Sequence, residues 1–267
     1  MKVFTGKNYL KKLLFVLGLA IIFLVSVFLI KETEIATQIE DWRPAAETKL
    51  DQAKGILKEL AIIKSSSTVD WSKKIDILLD VPFVAQAPLA EWSDPRQQDA
   101  CEEASVLMAM AWIKGETLNP KTAVKSITDM ADWQTEKYGG FVDTNAQDTT
   151  DRLIKGYFNY KKVEVVEFKN TEQIVAALSA GQLVLLPTNG QKLKNPNYKQ
   201  PGPLTHMIVI QGYDKNLDEF ITNDPGTRKG EKYRYPASRV FEAAFDYPTG
   251  DHVLDEPATK ALIIISK

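Results

Sequence analysis

Residues 206–225 read HMIVIQGYDKNLDEFITNDP. Two apolar runs, Met207 to Ile210 and Phe220-Ile221, flank the polar turn Asp214-Lys215-Asn216, which is the pattern of a β-hairpin. If those three residues close the loop, His206 lies opposite Asp224, on one face, with Cβ atoms roughly 4.5–5.5 Å apart. Ile208, Ile210, Phe220 and Thr222 then fall on the same face beneath the pair, and Asn223 points to the other. The assignment depends on register, because a slip of one residue exchanges the faces. Asn223-Asp224-Pro225-Gly226 is also turn chemistry, and a turn directly after the aspartate fixes its direction.

Upstream, Asp99-Ala100-Cys101-Glu102 has the form of a capping box, with the aspartate at the cap and glutamate three positions on. It opens an apolar run from Ala104 to Ile113 that ends near Gly115. The run is apolar on most faces, so it predicts a buried helix. Further helices are expected after Asn119-Pro120, over Ala146 to Lys155, and over Thr171 to Ala180 with Asn170 as cap. Strands are expected near Ile75 to Val81, at Val163 to Phe168, at Leu183 to Leu186, near Lys232 to Tyr235 and at Ala261 to Ile265, with a short helix from Ser238. The polar segment Gln86 to Gln98 reads as a long ordered loop. Helices concentrate in the first half and strands in the second, which predicts an α+β domain built on an antiparallel sheet.

Cys101 is the chain's single cysteine. It falls in the first turn of a buried helix, where free N–H groups and the helix dipole favour an anion. Such a position lowers thiol pKa, as a nucleophilic cysteine requires. Asp99, Glu102 and Glu103 pull the other way, so a nearby cation is needed to secure a thiolate. A buried structural cysteine is the alternative reading of the same position. His206 supplies an imidazole and Asp224 a carboxylate to orient it. The other histidine, His252, lies in a Gly/Asp/Pro-rich loop and reads as a solvated residue.

These residues, taken in order, resemble a family. Val81-Pro82-Phe83-x-x-Gln86 is followed by Cys101 opening a helix with Ala104-Ser105. Then come Thr205-His206-Met207-Ile208-Val209-Ile210-x-Gly212-Tyr213-Asp214 and Asn223-Asp224-Pro225. The pattern is similar to the papain-like cysteine peptidases related to the bacteriocin-processing, double-glycine leader peptidases (family thirty-nine of the cysteine peptidases), over roughly residues 78 to 247. The resemblance implies a papain-like fold with Cys101 as nucleophile, His206 as general base and acid, Asp224 as orienter, and Gln86 as a side-chain donor to the oxyanion. It departs from the family in Cys101-Glu102-Glu103, where many relatives have Cys-Gly-Pro, and in Thr205, where glycine often precedes the histidine. Gln97 and Gln98 lie nearer Cys101 in sequence and compete with Gln86 for the oxyanion.

Composition bounds the rest. The chain has 267 residues, is 44% hydrophobic and carries a net charge of −2. That length and apolar content exclude a disordered tail, and the charge argues against a nucleic-acid partner. One cysteine and two histidines exclude a disulfide framework and argue against a metal site built on those residues, so no cofactor is expected.

The charge is uneven. Residues 1–30 hold Lys2, Lys7, Lys11 and Lys12 and no acid, which leaves about −6 on the remainder. Leu13 to Ile30, LLFVLGLAIIFLVSVFLI, is uncharged and long enough at about 1.5 Å per residue to match a bilayer core of roughly 30 Å. The preceding lysines hold the amino terminus in the cytoplasm, which places the body outside. A cleaved signal peptide is the alternative, but no good small-x-small site follows the stretch. The expected organisation is a cytoplasmic stub and transmembrane anchor (1–30), a helical stalk and linker (31–74) and a peptidase-like domain (75–267). The expected partners are the membrane and a peptide or protein substrate, with cell-wall peptide among the options. Hydrolysis, acyl transfer to an amine, and a non-catalytic surface-binding domain all remain open at this stage.

Overall fold

The computed structural model describes residues 77–250 and 259–267. The expected anchor, the stalk and His252 lie outside the described residues. Among the described residues no helix is long and apolar enough to cross a membrane.

Among the described residues seven strands form one antiparallel sheet: β1 (Ile77–Leu78), β2 (Val163–Glu167), β3 (Leu183–Thr188), β4 (His206–Asp214), β5 (Glu219–Asn223), β6 (Tyr233–Pro236) and β7 (Ala261–Ile265). Their order is β2-β7-β3-β4-β5-β6, with β1 paired to the far end of β4. Strands β3 and β7 are buried at every position, so they read as continuous apolar runs rather than as an alternation. That pattern belongs to a sheet covered on both faces. On one face Leu183, Leu185, Met207, Val209, Ile263 and Ile265 pack with the helix that starts at Cys101. On the other, Val184, Leu186, Ile208, Ile210, Leu262 and Ile264 pack with two later helices. The expected α+β architecture is therefore observed, with helices on both sides of the sheet.

The helices are α1 (Pro95–Gln98), α2 (Cys101–Lys114), α3 (Pro120–Tyr138), α4 (Ala146–Asp148, continued by a π-helical stretch Thr149–Tyr157), α5 (Glu172–Ser179), α6 (Gly190–Leu193) and α7 (Ala237–Ala243). Every residue of α2 from Cys101 to Trp112 is buried. Its alanines at 104, 109 and 111 present little bulk, so the helix can lie close against β4, and Ser105 Oγ reaches Met207 O at 3.4 Å. Each large apolar side chain buried here, such as Met108 or Val106, contributes about 1.5–3 kcal/mol. As expected, Asn119 caps α3 by accepting from Lys121 N at 2.9 Å. Asn170 and Gln173 exchange backbone-to-side-chain bonds at the start of α5, at 3.3 and 3.1 Å.

Two local expectations need correction. Asp99 is not the cap of α2. Asp94 caps the unforeseen one-turn helix α1 by accepting from Arg96 N at 3.0 Å, and Pro95 opens it. Asp99 is therefore the C-terminal boundary of α1, and Ala100, which makes no side-chain cap bond, precedes Cys101.

The hairpin register also differs. Asp214 Oδ1 accepts from Asn216 N at 3.1 Å and Leu217 N at 3.3 Å, so the turn extends over residues 215–218 and Asp214 pairs with Glu219. The ladder then shifts at a bulge between Ile210 and Gly212, beyond which Ile210 pairs with Thr222 and Val209 with Asn223. Carried on, this register sets His206 opposite Gly226, with Asp224 as its diagonal neighbour. The longer turn alone would have put Asn223 on the histidine's face, and the extra residue Gln211 restores Asp224 to it.

Candidate active site

A cleft of about 1250 Å3 opens where β4 begins. Gln86, Cys101 and His206 line it together with Trp92, Gln98 and Asp143. Cys101 reaches the cleft from the α2 layer of the sheet, whereas His206 and Asp224 belong to the opposite layer, beside Tyr198. Thiol and imidazole can face one cleft only at the end of the sheet, and β4 starts at His206.

His206 Nε2 lies 2.8 Å from Asp224 Oδ1, with both side chains almost wholly buried. The same oxygen accepts from Gly226 N at 3.0 Å. Oδ2 accepts from Tyr198 Oη at 2.5 Å, Tyr235 Oη at 2.6 Å and Asn195 Nδ2 at 3.1 Å. Burial pushes the Asp224 carboxyl up, but the charge of His206 and the bonds from His206, Tyr198 and Tyr235 outweigh it and hold the group below its ordinary value. An ionised Asp224 can only accept, so Nε2 carries a proton, and in the neutral imidazole it is Nδ1 that holds the lone pair. The Tyr198 ring meets the imidazole edge-on at 5.5 Å between centroids. Tyr198, Tyr235 and Asn195 were not foreseen, since they lie 26, 11 and 29 positions from Asp224 with no local signature.

Cys101 does not rest as the thiolate that its helix position suggested. Its thiol donates to Glu102 Oε2 at 3.1 Å. Burial, and then the charge of Glu102, push the Cys101 thiol well above its ordinary value. Glu102 Oε1 accepts from Tyr247 Oη at 2.5 Å and from Thr144 N at 3.3 Å. Burial raises Glu102 to about 7, despite the lowering bond from Tyr247 and with a further raise from Asp143. Glu103 is buried too, accepts from Gln134 Nε2 at 2.6 Å, and is pushed well above its ordinary value by burial and by Glu102. Burial, with the charge of Glu102 behind it, therefore prevails over the helix dipole.

Gln86 is held by its backbone, whose N–H donates to Pro225 O at 2.9 Å, directly after Asp224. Its side-chain Nε2 donates to Gln98 O at 2.5 Å, which turns the amide nitrogen toward α1 and leaves one N–H for another acceptor. Gln98 lines the cleft as well, whereas Gln97 is buried with Nε2 3.4 Å from Glu91 Oε2. Asn223, on the opposite face as expected, donates from Nδ2 to Val81 O at 3.0 Å and so anchors the segment leading to Gln86. Of the aromatic loops, Trp92 lines the cleft, while Trp133 packs edge-on against Tyr138 and Tyr157.

The chain matches the Peptidase_C39 like family over residues 78–250. A solved structure of a candidate C39-like peptidase from Bacillus anthracis is 17% identical, covering 72% of this chain and 97% of that one, with a TM-score of 0.45. No curated protein matches the chain. The family match takes in Cys101, His206 and Asp224 and runs from β1 to beyond α7. By that match the chain belongs to the Peptidase_C39 like family and is, at the family level, a cysteine peptidase-like enzyme.

Proposed function

We propose that the protein is a membrane-anchored thiol hydrolase that cleaves peptide or amide bonds outside the cytoplasmic membrane, using Cys101, His206 and Asp224. The observation that carries this reading is the buried 2.8 Å contact between His206 Nε2 and Asp224 Oδ1, on a cleft that Cys101 also lines from a helix start. A purely structural histidine has no need of a carboxylate held by so many donors in a cleft wall.

The reaction follows from the proton inventory. His206 Nδ1 takes the Cys101 proton, and the thiolate attacks the amide carbonyl. The oxyanion that forms is met by the free N–H of the Gln86 amide and by the backbone N–H of Cys101. Donors placed in this way typically contribute about 3–4 kcal/mol each. The C–N bond breaks as the imidazolium returns its proton to the leaving amine, giving a thioester. Water, deprotonated by His206, then releases the acid and restores the thiol. Asp224 stays ionised throughout and stabilises the imidazolium.

The uncharged stretch from Leu13 to Ile30 and the lysines before it support the anchor and the outward body. Protease added to intact spheroplasts is expected to degrade the body, and protection there overturns the orientation. The chemistry is tested by labelling with a thiol-reactive, peptide-like warhead. Cys101→Ala abolishes labelling, and His206→Ala is expected to slow it at least a hundredfold. Labelling no faster than that of a free exposed thiol, and indifferent to His206→Ala, overturns the catalytic reading.

A further inference from the structure

The general acid defines the two ends of a bound substrate. His206 must hand its proton to the departing amine, so the segment on the leaving side of the scissile bond lies along the His206 side of the cleft. That side carries Lys199, Arg228 and Lys229, all exposed and all lining the cleft. Among the described residues no ion pair involves any of the three. Of the cleft's acids, Asp99 stands two residues before Cys101, and Asp143 accepts from Thr205 Oγ1 at 2.8 Å, next to His206, and turns its charge on Cys101 and Glu102, whose values it raises.

The loops that carry the cations are built rather than loose. Asp224 N donates to Gly230 O at 3.0 Å, Gly230 N to Thr227 O at 3.2 Å and Lys229 N to Thr227 Oγ1 at 3.2 Å. Arg228 and Lys229 therefore sit at the tip of a short closed loop whose first residue is Asp224. Lys199 follows Tyr198, whose hydroxyl bonds the same aspartate. Clustered like charges repel unless an anion meets them, and they do so here on a body that is acidic overall.

We infer that this lip is a carboxylate-recognition site for the leaving side of the substrate, so that the preferred substrates are peptides with an acidic side chain or a free carboxyl terminus just beyond the scissile bond. The inference rests on the hydrolase reading above. It is tested on the full-length protein with quenched fluorescent peptides that are identical up to the scissile bond and carry Glu, Gln or Lys beyond it, each with a free or an amidated carboxyl terminus. The Glu peptide is expected to show a kcat/KM about tenfold above the Gln peptide, with Lys lowest and the spread shrinking at high salt. The free-acid and amide pairs tell whether the terminal carboxylate or the side chain is read. In an Arg228→Glu/Lys229→Glu double variant the order should invert, whereas a merely structural loop would slow all peptides alike. Equal rates for Glu and Gln peptides overturn the lip and leave hydrolysis standing. If no peptide is cleaved, the hydrolase reading fails. The lip is then judged by fluorescence anisotropy of the same peptides on the Cys101→Ala protein, where equal affinity for Glu and Lys peptides overturns it.

Discussion

The Cys101 thiol donates to Glu102, and Glu102 is itself pinned by Tyr247 and Thr144. The nucleophile therefore rests protonated, in a bond that approaching substrate must exchange for one to His206. Glu102→Gln removes the charge but keeps an oxygen to accept from Tyr247. Alkylation of Cys101 by iodoacetamide at neutral pH is expected to rise about tenfold, since one unit of thiol ionisation is tenfold in thiolate. An unchanged rate in the folded variant would show that Glu102 does not govern the thiol. On the other side of the cleft, a Cβ at Gly226 would come 2.9 Å from His206 Cε1 and 3.2 Å from its Nε2. Gly226→Ala must therefore push the imidazole off Asp224, and warhead labelling is expected to slow about a hundredfold in a protein that still folds. At this scale the gathering of Cys101, His206 and Gln86 on one cleft, with Asp224 buried behind the imidazole, was legible in sequence. The state of the thiol was not, because the balance between helix dipole and burial depends on Tyr247 and Asp143, far away in the chain.

Among the elements, the β4–β5 hairpin carried most of the prediction and its most useful error. The apolar faces were assigned correctly: Ile208, Ile210 and Phe220 share a core with Tyr198 and Tyr235, while Val209 and Met207 face α2. The loop was read as three residues where the Asp214 side chain builds a longer one. Two departures, a longer turn and a bulge, cancel in parity. The signal for the bulge was present, a buried glutamine and a glycine inside an otherwise apolar strand. Gly212 has its own constraint, since a Cβ there would come 2.6 Å from Ile77 O where β1 crosses. Gly212→Ala is expected to cost about 1–3 kcal/mol in chemical denaturation, by prising β1 from β4. The cap of α2 was misplaced by one residue for a similar reason: Asp94-Pro95 starts an extra turn of helix just upstream, and a one-turn helix leaves almost no periodic trace.

For the whole molecule, the buried acids set a pH dependence of stability that runs in two directions. Glu102 and Glu103 hold their protons more tightly folded than unfolded. Their contribution is present below the unfolded carboxyl value of 4.5 and is lost as pH rises through the folded value, about 7 for Glu102. Asp224 is held below its ordinary 3.8, so its contribution is present above that value and is lost as pH falls through the lower folded one. Calorimetry is expected to show the thermal midpoint falling between pH 4.5 and about 7, with a shallower slope in Glu102→Gln. A slope unchanged by that substitution would assign the loss to other groups. The α+β class was legible because helices and strands separate along the chain. Both helices of the second layer, α5 and α7, were legible as elements, but their place on the far face of the sheet was not, since they are short and interleaved with the strands they cover.

The bulge at Gln211 also constrains how the hairpin can change length. His206 and Asp224 stand 18 residues apart, and that interval contains both the turn and the extra residue. Residues added within the turn lengthen the loop and leave the strand pairing, and so the aspartate beside the imidazole, as they are. A single residue gained or lost within the paired strands instead turns the far part of that strand over, presenting Asn223 in place of Asp224 and exchanging the apolar faces with it, unless a bulge is gained or lost to match. Between the turn and the site the strands thus act as a ruler graduated in twos, and an aligned gap of one residue there marks a chain with a different bulge or a histidine with a different partner.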